Sequence, residues 1–158
     1  MNNGILKLKD KERTFSRGTV KKDAFRGFGG VTHRIRMKVN RRIGLTRLGF
    51  LGPHEANGYY EVTIVIETVP DWRIVLDHKK IGVYAKKGEM FYIEFDGVFT
   101  LEANKYYSIG FMLNGPKTGV LELKNWRSVI QVEDNSTVFY FLLGSRQLAE
   151  LKYVLLDK

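Results

Sequence analysis

The tightest constraint on what this chain can fold into is a strict two-residue alternation. From Tyr59 to Thr68, the residues Tyr60, Val62, Ile64 and Ile66 fall on one side of an extended backbone, and Tyr59, Glu61, Thr63, Val65 and Glu67 on the other. A helix, with its longer repeat, would scatter both sets around its circumference, so the stretch reads as a long half-buried strand. Ile35-Arg36-Met37-Lys38-Val39 repeats the pattern, with Ile35, Met37 and Val39 on one face and Arg34, Arg36 and Lys38 on the other.

Residues 72–77, 81–85, 90–95, 106–113, 119–123, 128–132 and 137–143 are rich in β-branched and aromatic residues and read as further strands. Gly52-Pro53-His54, Asn57-Gly58, Lys87-Gly88-Glu89, Asp96-Gly97, Asn114-Gly115-Pro116 and Asp134-Asn135 punctuate them with residues that make turns. Gly27-Phe28-Gly29-Gly30 reads as a loop entering the strand over 34–39. Short strands at this spacing predict an all-β fold, an antiparallel sandwich or barrel. One stretch reads both ways: over 146–156 the spacing of Leu148, Leu151 and Leu155 suits a helix, and a terminal strand over 151–156 suits equally well. Residues 14–158 are expected to form a single domain, with 1–13 as an arm or an added edge strand.

Chemistry is constrained by what is missing. The 158 residues include no cysteine, which excludes disulfides, thiolate zinc sites, iron–sulfur clusters and a cysteine nucleophile. Charged residues interrupt every apolar run before it reaches the roughly 20 residues of a membrane-spanning helix. The start of the chain lacks the apolar stretch and cleavage site of a secretory signal, so an intracellular location, cytoplasmic or nuclear, is expected. His33, His54 and His78 are too dispersed for a local metal motif. The glycine-rich stretch 27–30 fits neither dinucleotide nor P-loop spacing, and no Gly-x-Ser-x-Gly elbow occurs. Glu94 and Asp96 share a strand face, an arrangement that is more often a solvated surface than a glycosidase pair. A non-enzymatic protein without metal or cofactor is the expectation.

Basicity is concentrated at one end. Residues 1–50 hold 14 of the 26 basic residues and 3 of the 17 acidic ones, whereas the remainder is slightly acidic. Such a field suits an acidic protein, a nucleic acid or an anionic surface.

The segment Phe28-Gly29-Gly30-Val31-Thr32-His33-Arg34-Ile35-Arg36-Met37-Lys38-Val39-Asn40-Arg41-Arg42-Ile43, followed by Leu48-Gly49-Phe50-Leu51-Gly52, resembles the opening of the PHR domain. Its Arg-Ile-Arg and Val-Asn-Arg-Arg-Ile pieces are the closest match. Residues 59–64 and 101–107 and the turn Leu113-Asn114-Gly115-Pro116 are similar to later strands and turns of that family, in order, so that the resemblance runs from about Thr14 to Leu156. It implies an antiparallel β-sandwich of the kind found in large ubiquitin ligases of the Pam/Highwire type and in BTB-containing adaptors of cullin ligases. The function implied is partner recognition, with a protein client or a ligase component as the partner.

Two surfaces follow as candidates. Loops on rigid scaffolds commonly bind partners, and the segments matching family loops are Gly52, Pro53 and His54, and Asn114, Gly115, Pro116 and Lys117. The alternative is nucleic-acid binding, with Arg34, Arg36 and Lys38 along the strand and Arg41 and Arg42 at the following turn tracking phosphates, and Phe25 and Phe28 available for stacking. The same arginines could instead hold the fold by pairing with Glu61 or Glu67 on a neighbouring strand. Sugar or small-ligand binding by Trp72, Trp126, Tyr59 and Tyr60 is a third reading, although most of these rings are expected in the core.

Overall fold

The computed structural model describes residues 11–122, 128–132, 137–142 and 144–156. Their strands are β1 (Arg13–Ser16), β2 (Thr19–Val39), β3 (Ile43–Phe50), β4 (Gly58–Thr68), β5 (Ile74–Ala85), β6 (Phe91–Leu101), β7 (Tyr107–Glu122), β8 (Ser128–Val132), β9 (Val138–Leu142) and β10 (Glu150–Leu155). They form two antiparallel sheets, one of four strands in the order β1-β10-β3-β6 and one of six in the order β5-β4-β7-β2-β9-β8. The expected β-sandwich is therefore the fold.

The alternating faces decide the packing. Ile35, Met37, Val39, Tyr60, Val62, Ile64 and Ile66 are all buried, and they meet Ile43, Leu45, Leu48, Phe50, Ile93 and Leu151 of the smaller sheet in one core. Aromatic pairs cross the interior: Phe15 stacks on Phe139 at 4.4 Å, Tyr60 on Phe91 at 5.0 Å, and Phe50 meets Phe111 edge-on at 5.3 Å. Such pairs add geometric preference to the area they remove from water.

Several expected turns lie inside longer strands. The expected strands 72–77 and 81–85 join in β5 through a bulge, where the register slips between Val62↔Ile81 and Ile64↔His78, and the strand begins at Ile74, with Trp72 and Arg73 in the turn before it. Asp96-Gly97 sits within β6, with Gly97 in the left-handed region at φ 86°. Asn114-Gly115-Pro116 lies within β7, which runs unbroken from Tyr107 to Glu122. The stretch 27–30 is part of β2 and not a loop before it; the register against β7 slips on both sides of Phe28. Between a helix and a strand for the last segment, the strand is found: β10 pairs with both β1 and β3, and the backbone of Leu148 turns left-handed at φ 65° just before it. Asp134-Asn135 and Trp126 lie outside the described residues.

Glu12, just ahead of β1, also joins the sandwich. The Glu12 carboxylate accepts hydrogen bonds from Thr46 Oγ1 and from both Nε and Nη2 of Arg47, on β3. Burial alone would raise its pKa, but the bonds from Arg47 and Thr46 and the Arg47 charge outweigh that and hold it below the usual carboxylate value. A lowered folded-state pKa contributes stability above the unfolded value, and that stability is lost as pH falls through the folded one. Glu12→Gln is thus expected to cost about 1–2 kcal/mol at pH 7, with the difference between wild type and variant shrinking as pH falls below the ordinary glutamate value of about 4.3 and vanishing only below the lowered one, as read from thermal melts across that range. On the same face Tyr92 donates to Glu150 Oε1 at 2.7 Å, and Lys152 donates to Thr14 Oγ1 at 2.7 Å.

Candidate functional site

One corner of the sandwich brings Gly52, Pro53 and His54 against Lys117 and the two residues after it, although some 60 residues separate them in the chain, whereas Asn114 accepts from Gly30 N–H at 2.9 Å. After β3 the backbone passes through Leu51, whose N–H donates to Gln147 Oε1 at 2.7 Å and whose carbonyl accepts from Gln147 Nε2 at 3.0 Å. The Gln147 amide thus replaces a strand partner. It also donates to Thr118 Oγ1 at 2.8 Å, fixing β7 to the same point. Beyond it, Gly119 N–H donates to the Gly52 carbonyl at 3.3 Å, Pro53 bridges Thr118, and His54 N–H donates to the Lys117 carbonyl at 3.0 Å. Gly88 N–H donates to the Pro53 carbonyl at 2.9 Å, so the β5–β6 turn is bound in as well.

This stitching separates scaffold from surface within the candidates. Gly52 and Pro53 are buried, whereas Gly115 and Pro116 are exposed, Gly115 with no room for a side chain beside the Tyr59 carbonyl and the Tyr60 ring. His54 and Lys117 remain accessible, and both act on Phe25. The Phe25 ring stacks on His54 at 4.4 Å and 20°, and Lys117 Nζ stands 5.4 Å from its centroid. Phe25 is 45% exposed, placed there because it lies opposite Gly119 in the β2–β7 register. The sequence suggested Phe25 only as a stacking ring for nucleic acid. Its place at this corner depends on a register that no local pattern encodes.

The basic residues occupy two other places. On the outer face of the large sheet, Arg34 Nε lies 3.4 Å from Glu67 Oε1, the Arg36 guanidinium lies 4.8 Å from the Trp72 ring, and Lys38 Nζ lies 4.8 Å from Tyr106 and 5.1 Å from Tyr140. Of the two acids considered as partners, Glu67 is the one used. At the β2–β3 turn, Arg41 donates to Thr137 Oγ1 and Arg42 pairs with Glu102 at 3.2 Å. The cations of this strand are therefore built into the sheet's surface, while their charge still faces solvent. Cation–aromatic contacts at exposed sites contribute about 0.5–1 kcal/mol each.

The remaining candidates are dispersed. His33 packs between Phe28 and Phe111, and burial, with the nearby Arg26, lowers its pKa; His78 approaches Phe95. Glu94 and Asp96 are exposed on β6. Tyr60 is in the core, whereas Tyr59 and Trp72 are exposed, 72% and 41%, at opposite ends of β4. Among the described residues no three His, Asp or Glu side chains converge as a metal site, and no helix is long and apolar enough to cross a membrane.

A two-sheet antiparallel sandwich with a stitched corner carrying an exposed aromatic is a scaffold of the protein-interaction type. The PHR domain model matches residues 18–148, and the chain belongs to the PHR domain family. No curated protein matches the sequence. The matched stretch leaves out β1 and β10, yet these supply two of the four strands of the smaller sheet.

Proposed function

We propose that this domain is a non-catalytic recognition module that binds a protein partner, in the setting of ubiquitin-ligase-associated proteins, through the corner formed by Phe25, His54 and Lys117. The observation that carries this reading is the pre-organisation of the corner: the loop after β3, the β5–β6 turn and the irregular middle of β7 are bonded to one another, so little ordering remains to oppose binding. An exposed aromatic flanked by an imidazole and an ammonium suits a binding hot spot. Gly52, Pro53, Asn114, Gly115 and Pro116 shape this surface, and His54 and Lys117 contact the partner. An intracellular location belongs to the same reading.

The test compares wild type with Phe25→Ala/Lys117→Glu. Affinity capture with mass spectrometry is run with and without nuclease, followed by titration of the partner recovered. The double variant is expected to weaken a nuclease-resistant partner about 30-fold, equivalent to about 2 kcal/mol. Its melting temperature is expected to fall by only about 3–6 °C, because the loss is confined to the His54 stacking and the Lys117 contact, each about 0.5–1.5 kcal/mol, and the fold is kept. A partner held equally by both proteins would refute the assignment. Partners lost on nuclease treatment would transfer the function to Arg34, Arg36 and Lys38, with Arg41 and Arg42, and binding should then fall steeply with salt.

A further inference from the structure

β5 is an outer strand of the six-stranded sheet, paired with β4 on one side and with no described strand on the other. Sheet edges of this kind are usually blunted by short length, lysines or bulges. β5 is 12 residues long, and it uses lysines and a bulge only at its middle, where Lys79 and Lys80 sit at the register slip and Lys80 is left-handed at φ 56°. Its two flanks, 74–78 and 81–85, are paired on that side by none of the described strands.

Those flanks carry an unusual share of the molecule's exposed apolar surface. Ile74 is 56% exposed and Val75 36%, with Trp72 just before them in the turn. Tyr84 is 51% exposed and meets Tyr59, its cross-strand neighbour, edge-on at 4.8 Å. The charge of the strand is one-sided. Within β5 Lys79 and Lys80 stand against Asp77, which is already 3.6 Å from Lys79, and Arg73, Lys86 and Lys87 flank the strand with Asp71 and Glu89 beyond them, an excess of five cations over three acids.

We propose that the β5 edge is a second docking surface, on which an extended acidic segment of a partner protein adds as a further strand of the large sheet. Strand addition supplies main-chain hydrogen bonds to the open edge, and the added strand's alternate side chains pack on Val75 and Tyr84 on one face and reach Ile74 on the other. Acidic residues complement the cations that line this edge. A second copy of this chain fits poorly, because β5 paired with itself sets this same excess of cations against itself. A nucleic-acid strand would meet the lysines and leave the edge amides and the apolar side chains unused. The surface is distinct from the Phe25 corner and stands without it.

The probe is a fluorescent peptide of about eleven residues that alternates glutamate with valine, long enough to span β5. Its counterpart has proline at every valine, which keeps the charge and removes the strand donors. Fluorescence anisotropy is expected to show the first binding at least about tenfold more tightly than the second, with amide exchange slowed within 74–85. Lys79→Glu/Lys80→Gly, with glycine suited to the left-handed backbone at position 80, is expected to weaken the peptide about tenfold at unchanged melting temperature. Phe25→Ala/Lys117→Glu should bind the peptide like wild type. No binding at millimolar peptide, equal binding of both peptides, or protection elsewhere in the domain would overturn the proposal. So would a wild-type dimer abolished by the lysine variant, or an oligothymidylate that displaces the peptide from the same amides.

Discussion

Arg17→Ala is expected to lower the unfolding free energy by about 3–5 kcal/mol, the cost of breaking a buried charge site held by three hydrogen bonds, and with it the melting temperature by roughly 10 °C. Arg17 follows β1 and is only 5% exposed. Its Nη1 donates to the carbonyls of Gln147 at 2.6 Å and Leu148 at 2.9 Å, and Nη2 donates to Ser145 at 3.0 Å. The guanidinium also lies 5.2 Å from the Phe141 ring centroid. Burial pulls its pKa down to about 10, which still leaves it cationic at neutral pH. Among the described residues no carboxylate pairs with it; the carbonyls of one short segment do so instead. Removing the side chain leaves three acceptors facing a cavity, and each buried unpaired group costs about 1–3 kcal/mol. Arg17→Lys keeps the charge, but one ammonium cannot span the three carbonyls, so an intermediate loss is expected. Urea melts check both, and a loss below about 1 kcal/mol for Arg17→Ala would show that water replaces the guanidinium without penalty. The effect should also reach the corner, because the segment that Arg17 holds includes Gln147, which in turn grips Leu51 and Thr118.

What the sequence made legible and what it concealed divide along physical lines. The core faces of β4 and of the end of β2 were legible because alternation is a local property, and residues two apart must share a face. Turn chemistry misled where it served bulges. Gly97 takes left-handed backbone inside continuous β6, and the stretch 114–116 lies within unbroken β7 where its register against β2 slips, since a bulge asks the same of the backbone as a turn. Leu148, Leu151 and Leu155 could mark a helix only while their neighbours were unknown; pairing with β1 and β3 overrides that propensity. The proximity of residues 52–54 to Lys117 and the two residues after it was not encoded in either segment. Phe25 at the corner, and Arg36 and Lys38 on their aromatic rings, likewise depend on contacts between distant strands.

Gly52→Ala is the second large effect expected, a loss of about 3 kcal/mol from a single added methyl group. A Cβ at position 52 would stand 1.8 Å from the Glu89 carbonyl oxygen, 3.0 Å from its carbon and 3.3 Å from the Lys86 oxygen. All three are backbone atoms and cannot swing aside as a side chain would. Relief requires the β5–β6 turn to withdraw, at the expense of the bond from Gly88 N–H to the Pro53 carbonyl and that from Lys87 N–H to Asn57 Oδ1 at 2.7 Å. Gly88→Ala is the control. Gly88 has φ 74° and open space where the methyl would go, so it should lose only about 1 kcal/mol, the conformational cost of left-handed backbone. The pair separates crowding from conformational strain in one set of thermal melts, and a Gly52→Ala protein melting within about 2 °C of wild type would show that the turn yields freely. Partner titrations sharpen the functional reading. Glycine has no side chain to offer a partner, so weakened binding in Gly52→Ala, with binding kept in Gly88→Ala, would mean that the corner recognises its partner through the position of its backbone, with His54, Lys117 and Phe25 held in place by it.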